Sequence, residues 1–459
     1  MEAAPRRATV PDSLAARVSR PFTRFLELET SSAWLLLAMA VLALIWANSP
    51  WGHTYEAFWH TPLSIVLGDA FALELSLGHW VNDGLMTLFF FVVGMEIKRE
   101  LVLGELSSRA RALLPISAAL GGMVVPAGIY AAFHWGEPTL RGWGVPMATD
   151  IAFAVAALSA LGSRVPASLR IFLLALAIVD DLGAVAVIAV FYTAEIHLSS
   201  LALAGAGLAG CVLLNWAGVR AIPVYALLGV FVWLETHHSG VHATIAGVLL
   251  GFVTPTAVEH GHESLIDRGR HALDHLRELL TGSHEEEVVD YGGHRRHHVA
   301  RELAGLGRAS LSPLDFLVNL LERPVAFAIM PVFALANAGV VLDASTLGDP
   351  LAQKVGIAVA LGLFLGKPIG IALFSYLAVR LGVAVLPPGV NWGAIVATGA
   401  LAGIGFTVAL FVTALAFENP IAISGSKIGI LLGSAAAGGM GLALLVRSLP
   451  RSDSPSPSS

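Results

Sequence analysis

Long apolar runs follow one another along most of this chain, with the polar residues gathered between them. The runs fall at 32–48, 78–100, 112–134, 144–162, 168–192, 199–217, 222–236, 238–254, 315–340, 354–380, 391–416 and 424–447. About 20 apolar residues in a helix cross a hydrocarbon core of ~30 Å, and a single helix satisfies its own backbone there. The pattern therefore predicts an all-α integral membrane protein with about 12 transmembrane helices. Residues 62–77, "PLSIVLGDAFALELSL", are too short and interrupted to span. Their partial period-two alternation predicts a small periplasmic β-hairpin.

The polar segments divide the chain. Residues 1–31 form an arginine-rich cytoplasmic arm, 32–254 hold spans one to eight, and 315–447 hold spans nine to twelve. Between them lies 255–314, a cytoplasmic loop with eight of the sixteen histidines, including "HRRHH" at 294–298. The tail 448–459 ends in "SDSPSPSS" and reads as disordered and cytoplasmic. With both termini inside, all but four of the 27 lysines and arginines fall on the cytoplasmic side. The exceptions are Arg141, Lys354 and Lys427 outside and Lys367 within a span. The positive-inside rule requires this bias.

Composition excludes other classes. The chain is 56% hydrophobic and 13% charged, against about 25% charged in soluble domains. A large soluble enzyme could not bury this much apolar sequence. The single cysteine, Cys211, rules out an intrachain disulfide and a multi-cysteine metal site. In the loop, the stretch "LIDRGRHALDHLRELL" is amphipathic, and His271 and His275 are four residues apart on it. That is ligand spacing, but no third ligand is fixed, so a solvated loop is the expectation.

The chemistry lies in the few charges inside the spans. A charge at a helix centre costs ~2.5–3.5 kcal/mol on insertion scales, and such residues are functional by default. Asp180 and Asp181 stand together in "LALAIVDDLGAVAVIAV" (174–190), among Ala175, Ala177, Gly183, Ala184 and Ala186. Consecutive helical residues point ~100° apart, so the two carboxylates can line one cavity while facing different neighbours. Such a pair holds either protons or a hard cation through its oxygens, and the two states exclude each other. That competition is the logic of an exchanger.

Asp150 lies in "GVPMATDIAFAVAAL", after Pro146 and next to the hydroxyl of Thr149. A broken span is expected here, with Asp150 at the positive N-terminus of a half-helix. Lys367 precedes Pro368 in "GLFLGKPIGIALF", which disfavours helical geometry at Lys367. Its partner is Asp150, one of the Asp180/Asp181 pair, or the C-terminal end of a half-helix. A further break is expected at Gly403, Gly405 and Thr407 in "LAGIGFTVALFV". "GGMVVPAGI" (121–129) is similar to "LGKPIGIAL" (365–373), and "ATDIAFAVAAL" (148–158) to "AGIGFTVALFV" (402–412) in its broken middle. The two triplets of spans start on opposite sides, which gives inverted-topology repeats with two broken helices. Paired interruptions in such repeats mark a binding site.

Together these residues resemble the NhaA-type sodium/proton antiporters of bacteria. The resemblance rests on "NDGLMTLFFFVVGMEIKREL" (82–101), "ATDIAFA" (148–154), "LGSRVP" (161–166), "FLLALAIVDDLGA" (172–184), "SGVHATIAG" (239–247), "FALANAGV" (333–340), "LGKPIGI" (365–371) and "GIGFT" (403–407). It implies that Asp180 and Asp181 bind Na+ or H+, with Asp181 the main sodium ligand. Thr149 and Asp150 would match the break in one crossing helix, Asp150 balancing positive half-helix ends. Lys367 would balance the negative ends or pair with Asp180. Glu96, Arg99 and Glu100 would form a cluster at the cytoplasmic mouth tied to pH regulation, with His242 joined to it in function. The resemblance further implies a homodimer in the inner membrane, formed partly through the hairpin, and electrogenic export of Na+ or Li+ against entering protons. No cofactor and no nucleic acid are expected, and the partners are membrane lipids and a second copy. One departure is "LVNLLERPVAF" (317–327), where Asn319 and Glu322 stand and the family's histidine is missing. The histidines of the 255–314 loop, with reference pKa near ~6.5, are candidates to tune the pH response instead.

Two other classes fit less well. An intramembrane aspartyl protease needs carboxylates from two elements facing one water, not neighbours on one helix. A sodium-coupled solute symporter needs a polar pocket for an organic substrate, and no segment supplies one.

Overall fold

Each of the apolar runs carries helix over at least part of its length. The computed structural model describes residues 14–68, 71–193, 196–219, 221–256, 270 and 312–449. The helices are α1 (Leu14–Ala47), α2 (Gly52–His60), α3 (Met86–Val102), α4 (Arg109–His134), α5 (Ile151–Ser159), α6 (Ala167–Phe191), α7 (Leu198–Trp216), α8 (Ile222–His238) and α9 (Thr244–Val253). After the loop come α10 (Pro313–Pro324), α11 (Met330–Asn337), α12 (Pro350–Leu361), α13 (Lys367–Arg380), α14 (Trp392–Leu401), α15 (Phe406–Ala416) and α16 (Pro420–Ser448). Among the described residues, seven helices are long and apolar enough to cross a membrane, or nine if each sharply bent pair counts as one span. The hairpin segment forms two antiparallel strands, β1 (Pro62–Leu67) and β2 (Phe71–Ser76), in register Leu63↔Leu75 and Ile65↔Leu73. Residues 1–13, nearly all of the histidine-rich loop with His271 and His275, and the tail from 450 lie outside the described residues.

The described chain forms two compact units. The first holds Met1–Met86, Glu105–Tyr192 and Ala326–Ser459. Its helices meet through glycine. A Cβ on Gly121 of α4 would land on the carbonyl oxygen of Gly370 in α13, and a Cβ on Gly370 on that of Gly121. Gly366 sits against Pro126, where a Cβ would lie 2.8 Å from its Cα. Small residues let backbones touch, which replaces the hydrophobic drive that lipid removes. Gly121→Ala is therefore expected to destabilise the fold by about 1–3 kcal/mol, the range for overpacking. Gly128→Ala is the control on the same helix, because a Cβ there meets nothing within 4 Å. Thermal denaturation in detergent should separate the two, and equal midpoints would contradict the close crossing.

In the same unit, side chains from distant segments hold the turn after α11. Tyr55 donates to the carbonyls of Leu335 (2.9 Å) or Ala336 (2.8 Å) and accepts from the Gly339 N–H at 3.2 Å. Asn337 donates to Asn82 at 2.8 Å, and Lys427 to the Gly339 carbonyl at 3.1 Å. These contacts account for much of "NDG" and "FALANAGV" as packing motifs. The expected loss of helix at Lys367 is not seen. Lys367 has φ −61 and ψ −57, and the chain accommodates Pro368 through a π-helical turn over Gly362–Gly366. Widening the preceding turn relieves the clash of the proline ring without breaking the helix.

The second unit holds Thr87–Gly104 and Thr193–Val325. There α3 and α9 also meet at glycines: a Cβ on Gly94 would lie 2.6 Å from the Val248 carbonyl, and one on Gly251 2.7 Å from that of Phe91. Cys211 is buried in α7. The histidine-rich loop leaves and returns at a closed base. The Leu314 N–H donates to the Pro255 carbonyl at 3.1 Å, and Lys98 Nζ to the Thr254 carbonyl at 2.6 Å. Ser312 caps α10 by accepting from Asp315 N–H at 3.1 Å.

Candidate ion-binding site

The first unit brings the two breaks together. Pro138–Met147 is a 3-10 helix that ends in extended backbone at Ala148, and α5 restarts at Ile151 with Asp150 as its cap. The second interruption, between α14 and α15, bends the chain by 51°. Each break exposes backbone groups that lack helical partners, and the other break supplies them. Asp150 N–H donates to the Ile404 carbonyl at 2.6 Å, and Thr149 Oγ1 to the Ala402 carbonyl at 2.8 Å. The Asp150 carboxylate accepts from Phe153 N–H at 3.4 Å and Thr407 N–H at 3.0 Å, and also from the Thr407 hydroxyl. One carboxylate thus caps the N-termini of two half-helices, where negative charge is favourable. A third helix adds Ser434, which accepts from Gly405 N–H at 3.2 Å.

Lys367 closes the site. Its Nζ donates to Asp180 Oδ2 at 2.7 Å and to Thr149 Oγ1 at 2.9 Å. The two side chains of the ion pair are 1% and 3% exposed, so both charges are out of water. Asp181 is buried as well, within electrostatic reach of Lys367. The other Asp180 oxygen, Oδ1, is sealed from solvent with no hydrogen-bond partner among the described residues. A buried carboxylate oxygen left unpaired is expensive unless something positive reaches it. The arrangement can therefore offer oxygen ligands to a hard cation or receive a proton.

Thr149, Asp150, Asp180, Asp181 and Lys367 all fall in the first unit, the first four through the 148–150 break and α6. Of the partners left open for Lys367, the structure pairs it with Asp180. Thr407 as the Asp150 partner and Ser434 at Gly405 were not foreseen. The "GIGFT" motif hinted at Thr407, whereas a lone serine in a helix of small residues carries no signal. Glu96, Arg99, Glu100 and His242 belong to the second unit. Glu96 feels the charges of Arg99 and of Glu322, so the segment lacking the histidine still delivers an acid to this cluster. Glu100 folds its carboxylate over Gly104, and His242 Nδ1 is 3.2 Å from Thr244 Oγ1.

Residues 23–445 match the family model for Na+/H+ antiporter 1. The chain belongs to the Na+/H+ antiporter 1 family. It is 46% identical over 447 residues to a Na(+)/H(+) antiporter NhaA of Rhodopirellula baltica, covering 97% of this chain and 98% of the relative. A NhaA of Oleidesulfovibrio alaskensis is 48% identical, with 95% of each chain covered. A NhaA 2 of Sorangium cellulosum is 47% identical over 92% of this chain and 88% of its own length. Membership in a transporter family and the apolar helices make this a multi-pass membrane protein.

Proposed function

We propose that this chain is an electrogenic Na+/H+ antiporter of the bacterial inner membrane that exports Na+ or Li+ in exchange for a larger number of entering protons. The observation that carries the reading is the buried Asp180–Lys367 pair beside Asp181, with Asp180 Oδ1 left without a partner. Cation and protons compete for Asp180 and Asp181, with Asp181 the main ligand. Thr149 and Asp150 hold the crossing of the broken spans and balance its helix ends. Because Lys367 is tied to Asp180, a proton or cation arriving at that aspartate loosens the pair, and charge moves in the cycle. The protein works as a regulator of cytoplasmic sodium and pH, with both termini inside. The matched interruptions at 148–150 and 402–405 support inverted repeats, and β1–β2 supports a periplasmic hairpin that serves a homodimer. Adding sodium outside acid-loaded proteoliposomes should release lumenal protons with no organic substrate. No response would remove the reading.

Glu96, Arg99, Glu100 and His242 are assigned to pH regulation, with Glu322 joining Glu96. The closed base at Pro255 and Leu314 supports the histidine-rich loop as a removable addition. Deleting 258–308 should leave exchange active and shift its pH profile by about half a unit or more, the scale on which histidines near ~6.5 act. An unchanged profile would clear the loop histidines of that role.

A further inference from the structure

Tyr192 closes α6, the helix that carries Asp180 and Asp181. Its hydroxyl donates to the Arg141 carbonyl at 2.6 Å and accepts from the Gly144 N–H at 3.3 Å. A 3-10 rung joins a carbonyl to the N–H three residues on, so these are the two ends of one rung. The phenol of α6 is therefore threaded into the 3-10 half of the broken span, Pro138–Met147, which leads straight to Thr149. Gly144 makes room for it: a Cβ there would lie 2.7 Å from the Tyr192 hydroxyl. Beside it, Trp143 packs edge-on against Phe191 with ring centroids 5.1 Å apart.

Ten residues of 3-10 helix are unusual, since runs beyond three or four are uncommon and such stretches mark hinges. This one needs an outside restraint to keep its register. The register matters because Lys367 must reach Asp180 on α6 and Thr149 at the end of the 3-10 helix together. Tyr192 is three turns beyond Asp181, about 17 Å at 1.5 Å per residue, and so does not touch the ion. We propose that Tyr192 is a positioning residue for the exchange reaction: by bridging Arg141 and Gly144 it sets the first broken span against the aspartate helix. The proposal rests on exchange at Asp180 and Asp181.

Tyr192→Phe removes only the hydroxyl. The expected result in proteoliposomes is an apparent KM for Na+ raised about tenfold with the maximal rate within twofold, since the ligands are present but misplaced. Gly144→Ala, which pushes a methyl against the same hydroxyl, should give the same split. Tyr130→Phe is the comparison: Tyr130 donates to the Thr139 carbonyl at 2.9 Å from α4, which carries neither aspartate, and its KM should stay within twofold. Amide hydrogen exchange over 138–150 should be at least tenfold faster in Tyr192→Phe than in the wild type, whatever ion is carried. Wild-type exchange over 138–150 in Tyr192→Phe, or a wild-type KM in both Tyr192→Phe and Gly144→Ala, would overturn the proposal. An equal rise in KM for Tyr130→Phe would overturn it too. A wild-type protein with no sodium response would instead sink the exchange reading, and the amide measurement would still decide whether Tyr192 holds the span.

Discussion

Asp181→Asn is expected to lower sodium-driven proton flux by at least ~100-fold, equivalent to ~2.7 kcal/mol or more. The amide keeps the size of the side chain but carries neither the charge that binds a cation nor the proton that replaces it. Asp181 is buried on α6, so water cannot substitute for the lost ligand. Asp180→Asn should be nearly as damaging, because it also strips Lys367 of the buried carboxylate with which it forms its ion pair. Flux measured at matched protein density in proteoliposomes checks both. An Asp181→Asn protein with sodium-dependent flux close to the wild type would contradict the binding-pair reading.

Lys367→Ala should cost more stability than any other single change at the site. Removing one partner of a buried ion pair leaves the other charge desolvated and alone, a loss of about 3–5 kcal/mol. Thr149 would also lose the donor that its hydroxyl now accepts from. Thermal denaturation in detergent should show a clear drop in midpoint. Adding Asp180→Asn to that background should recover part of the loss, since the orphaned charge goes, but should not recover transport. The sign of that coupling comes from the double-mutant cycle. A Lys367→Ala protein that melts with the wild type would mean that the pair is not closed in the folded protein.

The buried charges of the candidate site were legible because lipid makes charge conspicuous. Asp180, Asp181, Asp150 and Lys367 stand out from apolar runs that tolerate few ionisable groups. The breaks at 148–150 and 403–405 were legible for a related reason: proline, glycine and threonine gather where backbone must leave the helix. The partner of Lys367 was not, since it lies 187 residues away and depends on how α4, α6 and α13 cross. That crossing is set by single glycines such as Gly121 and Gly370, whose missing Cβ atoms say nothing in sequence about what fills the space. Helical geometry at Lys367 was misjudged because the local rule for a residue before proline ignores a widened turn. Glu322 lies close enough to act on Glu96, a proximity visible only once α10 is placed.

In the proposed exchange, one cation and hydrogen ions contend for the same buried acids. Calorimetric titration of Na+ into the detergent-solubilised protein across pH 6–9, in buffers of different ionisation enthalpy, reads both sides of that contest. Competition at Asp180 and Asp181 should release protons as sodium binds, and apparent sodium affinity should weaken up to about tenfold for each unit of acidification per proton displaced. Sodium affinity that stays constant across this range, with no proton released in any buffer, would contradict it.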